Sequence, residues 1–178
     1  MILPTRADFE RLVLPHLDAA HNLARWLVRD VTMAEDVVQD AAMRALSYFG
    51  SYRGGDARAW LLRIVRNTAY DALSARKRTA AASLDHPGLA DEGRAFQVPD
   101  DADDPEMALS GHERSAGLAV ALAALPVELR ECLVLHELEE LSYKDIAHVT
   151  GVPIGTVMSR LWRARQALMH GRLEREQA

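Results

Sequence analysis

The residues of this chain best suited to chemistry are arginines, and they fall in two clusters. Between Pro153 and Arg172 the sequence carries Arg160, Arg163, Arg165 and Arg172 with no Asp or Glu, a local charge of +4. Thr156 and Ser159 stand ahead of them. Hydroxyls at a helix N-terminus followed by spaced arginines suit the DNA major groove, with phosphates at the helix end and base edges along its side. The plainer alternative is a solvated arginine face on a terminal helix. A second cluster runs from Arg58 to Arg78, where Arg58, Arg63, Arg66, Arg76, Lys77 and Arg78 oppose only Asp71, a charge of +5. No Ser/His/Asp grouping, P-loop or glycine-rich phosphate cradle accompanies either cluster, so the sequence supports neither an enzyme nor a cofactor. Cys132 and His136 lie at i, i+4, a spacing that could hold a metal. No second Cys/His pair matches them, so Cys132 is read as a buried helical residue and no metal site is expected.

The whole-chain charge points the other way. With 26 Asp+Glu against 21 Lys+Arg the 178 residues carry a net −5, unlike a typical basic DNA-binding domain. Splitting the chain resolves the conflict. Residues 1–78 are +3, residues 79–115 are −7 and residues 116–178 are −1. The acidic middle holds Pro87, Pro99 and Pro105, three glycines and the run Asp100-Asp101-Ala102-Asp103-Asp104, without sustained periodicity. It reads as a flexible acidic linker between two domains.

The elements that position the arginines are helices. Ala and Leu supply 53 residues whereas Val and Ile supply 17, which favours an all-α fold of two small helical domains. Phe9, Leu12, Val13, Leu17, Ala20, Leu23, Ala24 and Leu27 recur at helical spacing, broken at Pro15. Thr32 followed by Glu35 predicts a capping box opening a second helix to about Leu46. Trp60, Leu61, Ile64, Val65, Thr68, Tyr70 and Leu73 mark a third helix ending near Arg78. Trp60 could serve as a base-stacking platform, but its spacing with Ile64 and Leu73 reads as core. In the last segment the spacing predicts helices over 116–125 and 128–138, then two short helices around Gly151. Ser142 and Asp145 form a capping box, Gly151 supplies the positive φ of a turn and Pro153 opens the next helix. Val157, Leu161, Ala164 and Leu168 should pack inward.

Single Cys132 argues against a secreted disulfide scaffold. The longest apolar run, Leu118 to Val127, is too short to span a bilayer, and Met1 to Glu10 shows no signal-peptide pattern. The expected location is the cytoplasm, without membrane insertion.

The turn and its second helix resemble a known family. The run Gly155 to Arg165, GTVMSRLWRAR, is similar to the region 4 signature of sigma-70-type sigma factors. Leu125-Pro126, Arg130 and Leu141-Ser142-Tyr143 match the spacing upstream of it. Ala34 to Asp40 and Ala59 to Asn67 resemble region 2 of the same family. The short length resembles the extracytoplasmic-function (ECF) subgroup, whose members direct bacterial RNA polymerase to promoters.

That resemblance implies roles residue by residue. Residues 1–78 would be region 2, 79–115 the linker and 116–178 region 4. Glu35, Asp36, Val38, Gln39 and Asp40 would dock on the β′ clamp helices of core polymerase. Asp36 and Asp40 share a face and Val38 would add apolar contact; without the family, the acids could merely complement the helix dipole. Region 4 would meet the β flap. Arg63, Arg66, Asn67, Arg76, Lys77 and Arg78 would face the minus-10 element, and the loop before their helix would capture an extruded base. Thr156, Ser159, Arg160, Arg163 and Arg165 would read the minus-35 element. An anti-sigma partner is expected by analogy, and the linker would run near the polymerase active channel or RNA exit. Two positions depart from the family pattern. Met158 replaces a common basic residue, and Asp71 sits on the DNA face, where it would repel phosphate unless paired with an Arg of its own helix. The competing reading is a stand-alone dimeric helix-turn-helix regulator, with residues 1–78 as its sensor or dimer domain. A DNA-modifying enzyme is a distant third.

Overall fold

The computed structural model describes residues 5–83 and 116–176, with side chains as far as residue 171. The acidic run at 100–104 and Arg172 therefore lie outside the described side chains. Among the described residues every regular element is helical, and no helix is long and apolar enough to cross a membrane.

The first domain comprises α1 (Arg6–Leu12), α2 (Leu17–Val28), α3 (Val31–Tyr48) and α4 (Ala57–Ser83). Pro15 sits in a tight 3-10 turn, Leu14–His16, that separates α1 from α2. The start of α3 corrects the capping expectation. Asp30, not Thr32, is the N-cap, and its carboxylate accepts from the Met33 amide at 2.9 Å. Asp56 closes the start of α4 in the same way, accepting from the Arg58 and Ala59 amides at 2.9 and 3.2 Å. Beyond that cap α4 runs five residues past the expected end at Arg78. Leu23 and Leu27 of α2, Val37, Val38 and Ala41 of α3, and Leu61, Leu62 and Val65 of α4 fill the centre of this bundle. Phe9 packs edge-on to Phe49 at 5.3 Å, and Tyr52 and Trp60 complete a ring cluster around Phe49. Trp60 thus packs against the core, as its spacing indicated.

The second domain comprises α5 (residues 116–124), α6 (Val127–Leu133), α7 (Tyr143–Thr150) and α8 (Ile154–Glu176). A wider helical turn, Val134–Leu138, continues α6. The helix after Gly151 is not short, as expected, but spans 23 residues. Ser142 accepts from the Asp145 amide at 3.1 Å and donates its hydroxyl to the Asp145 carboxylate, the expected capping pair. Gly151 ends α7 at φ 72°, in the left-handed region that a Cβ disfavours. Ile146, Val149, Val157, Leu161 and Ala164 are buried, so the turn locks α7 against α8 over an apolar seam.

The two domains share one core. α6 packs on α2, and α7 packs on α4. Arg130, 5% exposed, donates to the carbonyls of Ala123 and Leu125 in its own domain and to that of Leu27 in the other. A guanidinium offers five donors in a fixed fork, so one side chain can satisfy three carbonyls left over at helix ends.

Candidate nucleic-acid interface

On α4, the 3.6-residue repeat puts Arg63, Asn67 and Arg78 on one exposed stripe. Lys77 flanks it, whereas Arg76 is exposed on the other side of the helix. Asp71 belongs to the same region of the surface, but its partner is not an arginine of its own helix. Arg44, from α3, donates to Asp71 at 2.9 Å and also meets Asp40 at 2.9 Å. Asp71 is therefore paired, although it shares the single charge of Arg44 with Asp40. The Asp71 and Asp40 contacts raise the Arg44 pKa, the Asp71 hydrogen bond most of all.

Arg66 is turned away from that stripe. Its side chain is 18% exposed, and it grips Glu131 of α6 through Nε at 2.9 Å and Nη2 at 3.3 Å. The same guanidinium lies 4.0 Å from the centre of the Tyr70 ring. Burial first, then the Glu131 charge, holds the Tyr70 phenol far above its ordinary range.

On α8 the expected DNA residues divide. Thr156, Ser159 and Arg163 share a face, Ser159 and Arg163 exposed and Thr156 half-buried. Arg160 is drawn inward. At 16% exposure it donates to Glu131 at 3.1 Å, tying α8 to α6 within the domain. Arg165 lies two residues from Arg163, on roughly the opposite side of the helix. There it pairs with Glu137 at 2.7 Å. The five residues grouped from the sequence are thus, in the structure, a face of three, with Arg160 drawn inward to Glu131 and Arg165 on the far side of the helix. The signal was available: residues two apart on a helix do not share a face.

On α3, Glu35, Asp36, Gln39 and Asp40 are exposed, with Asp40 paired to Arg44. Val38, expected as a surface contact, is 5% exposed and belongs to the core with Ala34, Val37, Ala41 and Ala45. Met43 and Leu46, at 65% and 50% exposure, supply the apolar surface beside the acids instead. Their position off the buried stripe marks them in the sequence. Cys132 is fully buried between the domains' helices, and burial pushes its thiol up to about 11. His136 contacts the Leu141 carbonyl through Nδ1 at 3.1 Å and packs on the Tyr143 ring.

Comparison with known proteins matches this arrangement at both ends. Residues 12–79 match the family model of sigma-70 region 2, and residues 116–168 that of sigma-70 region 4. The chain belongs to the sigma-70 family. It is 38% identical over 164 residues to the RNA polymerase sigma-H factor of Pseudomonas aeruginosa, covering 90% of this chain and 83% of that one. It is 34% identical over 151 residues to the ECF sigma-E factor of Escherichia coli K12, covering 83% and 79%. Among solved structures, the sigma factor RpoE of Bartonella quintana, in complex with the anti-sigma factor NepR, superposes with a TM-score of 0.73 at 30% identity. That match covers 92% of this chain and 96% of that one. CnrH, solved with the cytosolic domain of CnrY, shares the fold with a TM-score of 0.62 at 24% identity, covering 93% and 88%. The chain is accordingly an ECF-type sigma factor, a non-enzymatic subunit that directs transcription initiation. Because the matches span both domains, the stand-alone dimeric regulator is not favoured.

Proposed function

We propose that the first domain of this sigma factor docks on core RNA polymerase through α3 and meets the minus-10 element through α4, while α8 reads the minus-35 element. The observation that carries this reading is one arginine-bearing surface face in each domain, Arg63-Asn67-Arg78 on α4 and Thr156-Ser159-Arg163 on α8. Asn67 can both donate to and accept from a base edge, and Arg163 can fork onto guanine. On α3 the acids Glu35, Asp36 and Asp40 with Gln39 suit a basic partner helix, and Met43 and Leu46 add the apolar contact that the buried Val38 cannot. The remaining polymerase contact would be region 4 on the β flap. The protein works in the cytoplasm and is held in check by an anti-sigma factor, a reading supported by the Bartonella quintana relative, which is solved in complex with the anti-sigma factor NepR.

The deciding experiment adds purified protein to sigma-free core polymerase and scores transcription from a cognate promoter. Core-dependent initiation is the expected result. Retained DNA binding without initiation would overturn the reading.

A further inference from the structure

The loop between α3 and α4 is fixed at both ends and again across its middle. Phe49, 3% exposed, anchors its start in the core, and the Tyr52 amide donates to the Phe49 carbonyl at 3.0 Å. Asp56 anchors its end by capping α4. Between these anchors the Tyr52 hydroxyl donates to the Gly55 carbonyl at 2.6 Å, closing the loop across its own span. The Tyr52 ring stacks on Phe49 at 5.6 Å and packs against Trp60 at 5.2 Å, so the hydroxyl is aimed by the core. Burial first, then the Asp56 charge, raises the pKa of the Tyr52 phenol. The hydroxyl therefore keeps its proton and remains a donor.

The tip that this arrangement presents is largely bare backbone. Arg53, Gly54 and Gly55 are exposed, and both glycines lie in the left-handed region, at φ 88° and 97°. Beyond the adjacent residues, no described atom lies within 4 Å of where a Cβ of either glycine would stand. The fold itself makes no use of that space, and a main chain without side chains lets a docking group approach closely. A free loop of this composition would sample many conformations, and ordering it on binding would weaken the complex. Here the ordering precedes binding.

We propose that Tyr52 is a positioning residue for base capture: through its hydroxyl on Gly55 and its stacked ring, it holds the tip at residues 53–55 in a preformed, open shape that receives the extruded base. Tyr52 acts through Gly55 and does not itself touch the base. Because the tip loses little further freedom on binding, more of the contact energy is left to offset the unstacking of the base. The inference rests on the minus-10 assignment of α4 made above.

The test uses holoenzyme reconstituted from the full chain and core polymerase, on a cognate promoter probe premelted over the minus-10 region. An abasic site is walked along the non-template strand, and the position where it weakens wild-type binding most marks the captured base. Tyr52→Phe keeps the ring and its packing and removes only the hydroxyl. It should bind the intact probe about fivefold more weakly than wild type, the worth of one hydrogen bond. On the probe abasic at the marked position it should match wild type, and that equality also reports an intact domain. Arg63→Ala, on the exposed stripe of α4, should weaken both probes alike. Wild-type affinity of Tyr52→Phe for the intact probe overturns the positioning role. Equal losses on the intact and abasic probes overturn it as well, because a general defect of the domain does not depend on one base. A wild-type scan without any abasic-sensitive position overturns base capture by this loop. Undiminished binding by Arg63→Ala refutes the minus-10 assignment itself, separately from the result with Tyr52→Phe.

Discussion

Asp71 on α4 accepts a hydrogen bond from Arg44 on α3 at 2.9 Å, and the same arginine holds Asp40 one turn back along its own helix. This joins the proposed polymerase-docking face to the proposed minus-10 face through one guanidinium. Arg44→Ala is expected to unmask Asp71 beside the phosphate backbone and weaken binding to a premelted minus-10 probe several-fold. The pair is exposed, so the loss of folding stability should stay within about 1 kcal/mol. Titration of the probe together with urea unfolding measures both; a large stability loss with unchanged binding contradicts the assignment.

The division of α8 predicts that neighbouring arginines behave differently. Arg163→Ala should cost minus-35 binding about 1–3 kcal/mol, the value of a bidentate base contact, and leave core binding intact. Arg165→Ala removes only an exposed pair with Glu137 on the far side and should change DNA affinity by less than twofold. Gel-shift measurements with one minus-35 duplex compare the two, and equal losses would refute the three-residue face.

On α3 the contrast is between a surface acid and a core valine. Asp36→Ala should weaken polymerase binding without altering stability. Val38→Ala removes two buried carbons and should cost about 2 kcal/mol of folding free energy. Denaturant melts and a core-polymerase pull-down distinguish them. A stable Val38→Ala protein that fails to bind core would restore Val38 to the docking surface.

Burial raises the Cys132 thiol from 9.0 to about 11, which makes a pH dependence. The folded chain holds this proton more tightly than the unfolded chain does. The stabilisation is therefore complete below pH 9 and is lost as pH rises from about 9 towards 11. Cys132→Ala should flatten that part of the stability curve. In the folded protein at pH 8 the thiol should resist alkylating reagents and react on unfolding; rapid native-state labelling would contradict its burial.

Much of the fold was legible because the signals are local. Ser142 and Asp145 are three residues apart, Gly151 needs only its own φ, and the inward face of α8 follows from a 3.6-residue repeat. The same repeat places Val38 with Ala34 and Ala41 in the core and separates Arg165 from Arg163. The N-cap of α3 was less legible, since Asp30 and Thr32 are both competent caps and the backbone approach from α2 selects between them.

The amino-acid sequence by itself determined the helices, their buried stripes, the two basic clusters and the acidic stretch between them, because each depends on residues within a few turns of one another. Tertiary structure alone decided which charges are available. Arg44 reaches Asp71 across 27 positions, and Arg66 reaches Glu131 across 65. No periodicity encodes such pairs; they exist only once packed helices bring the side chains together, and they divide the arginines into exposed groups and buried ties between helices.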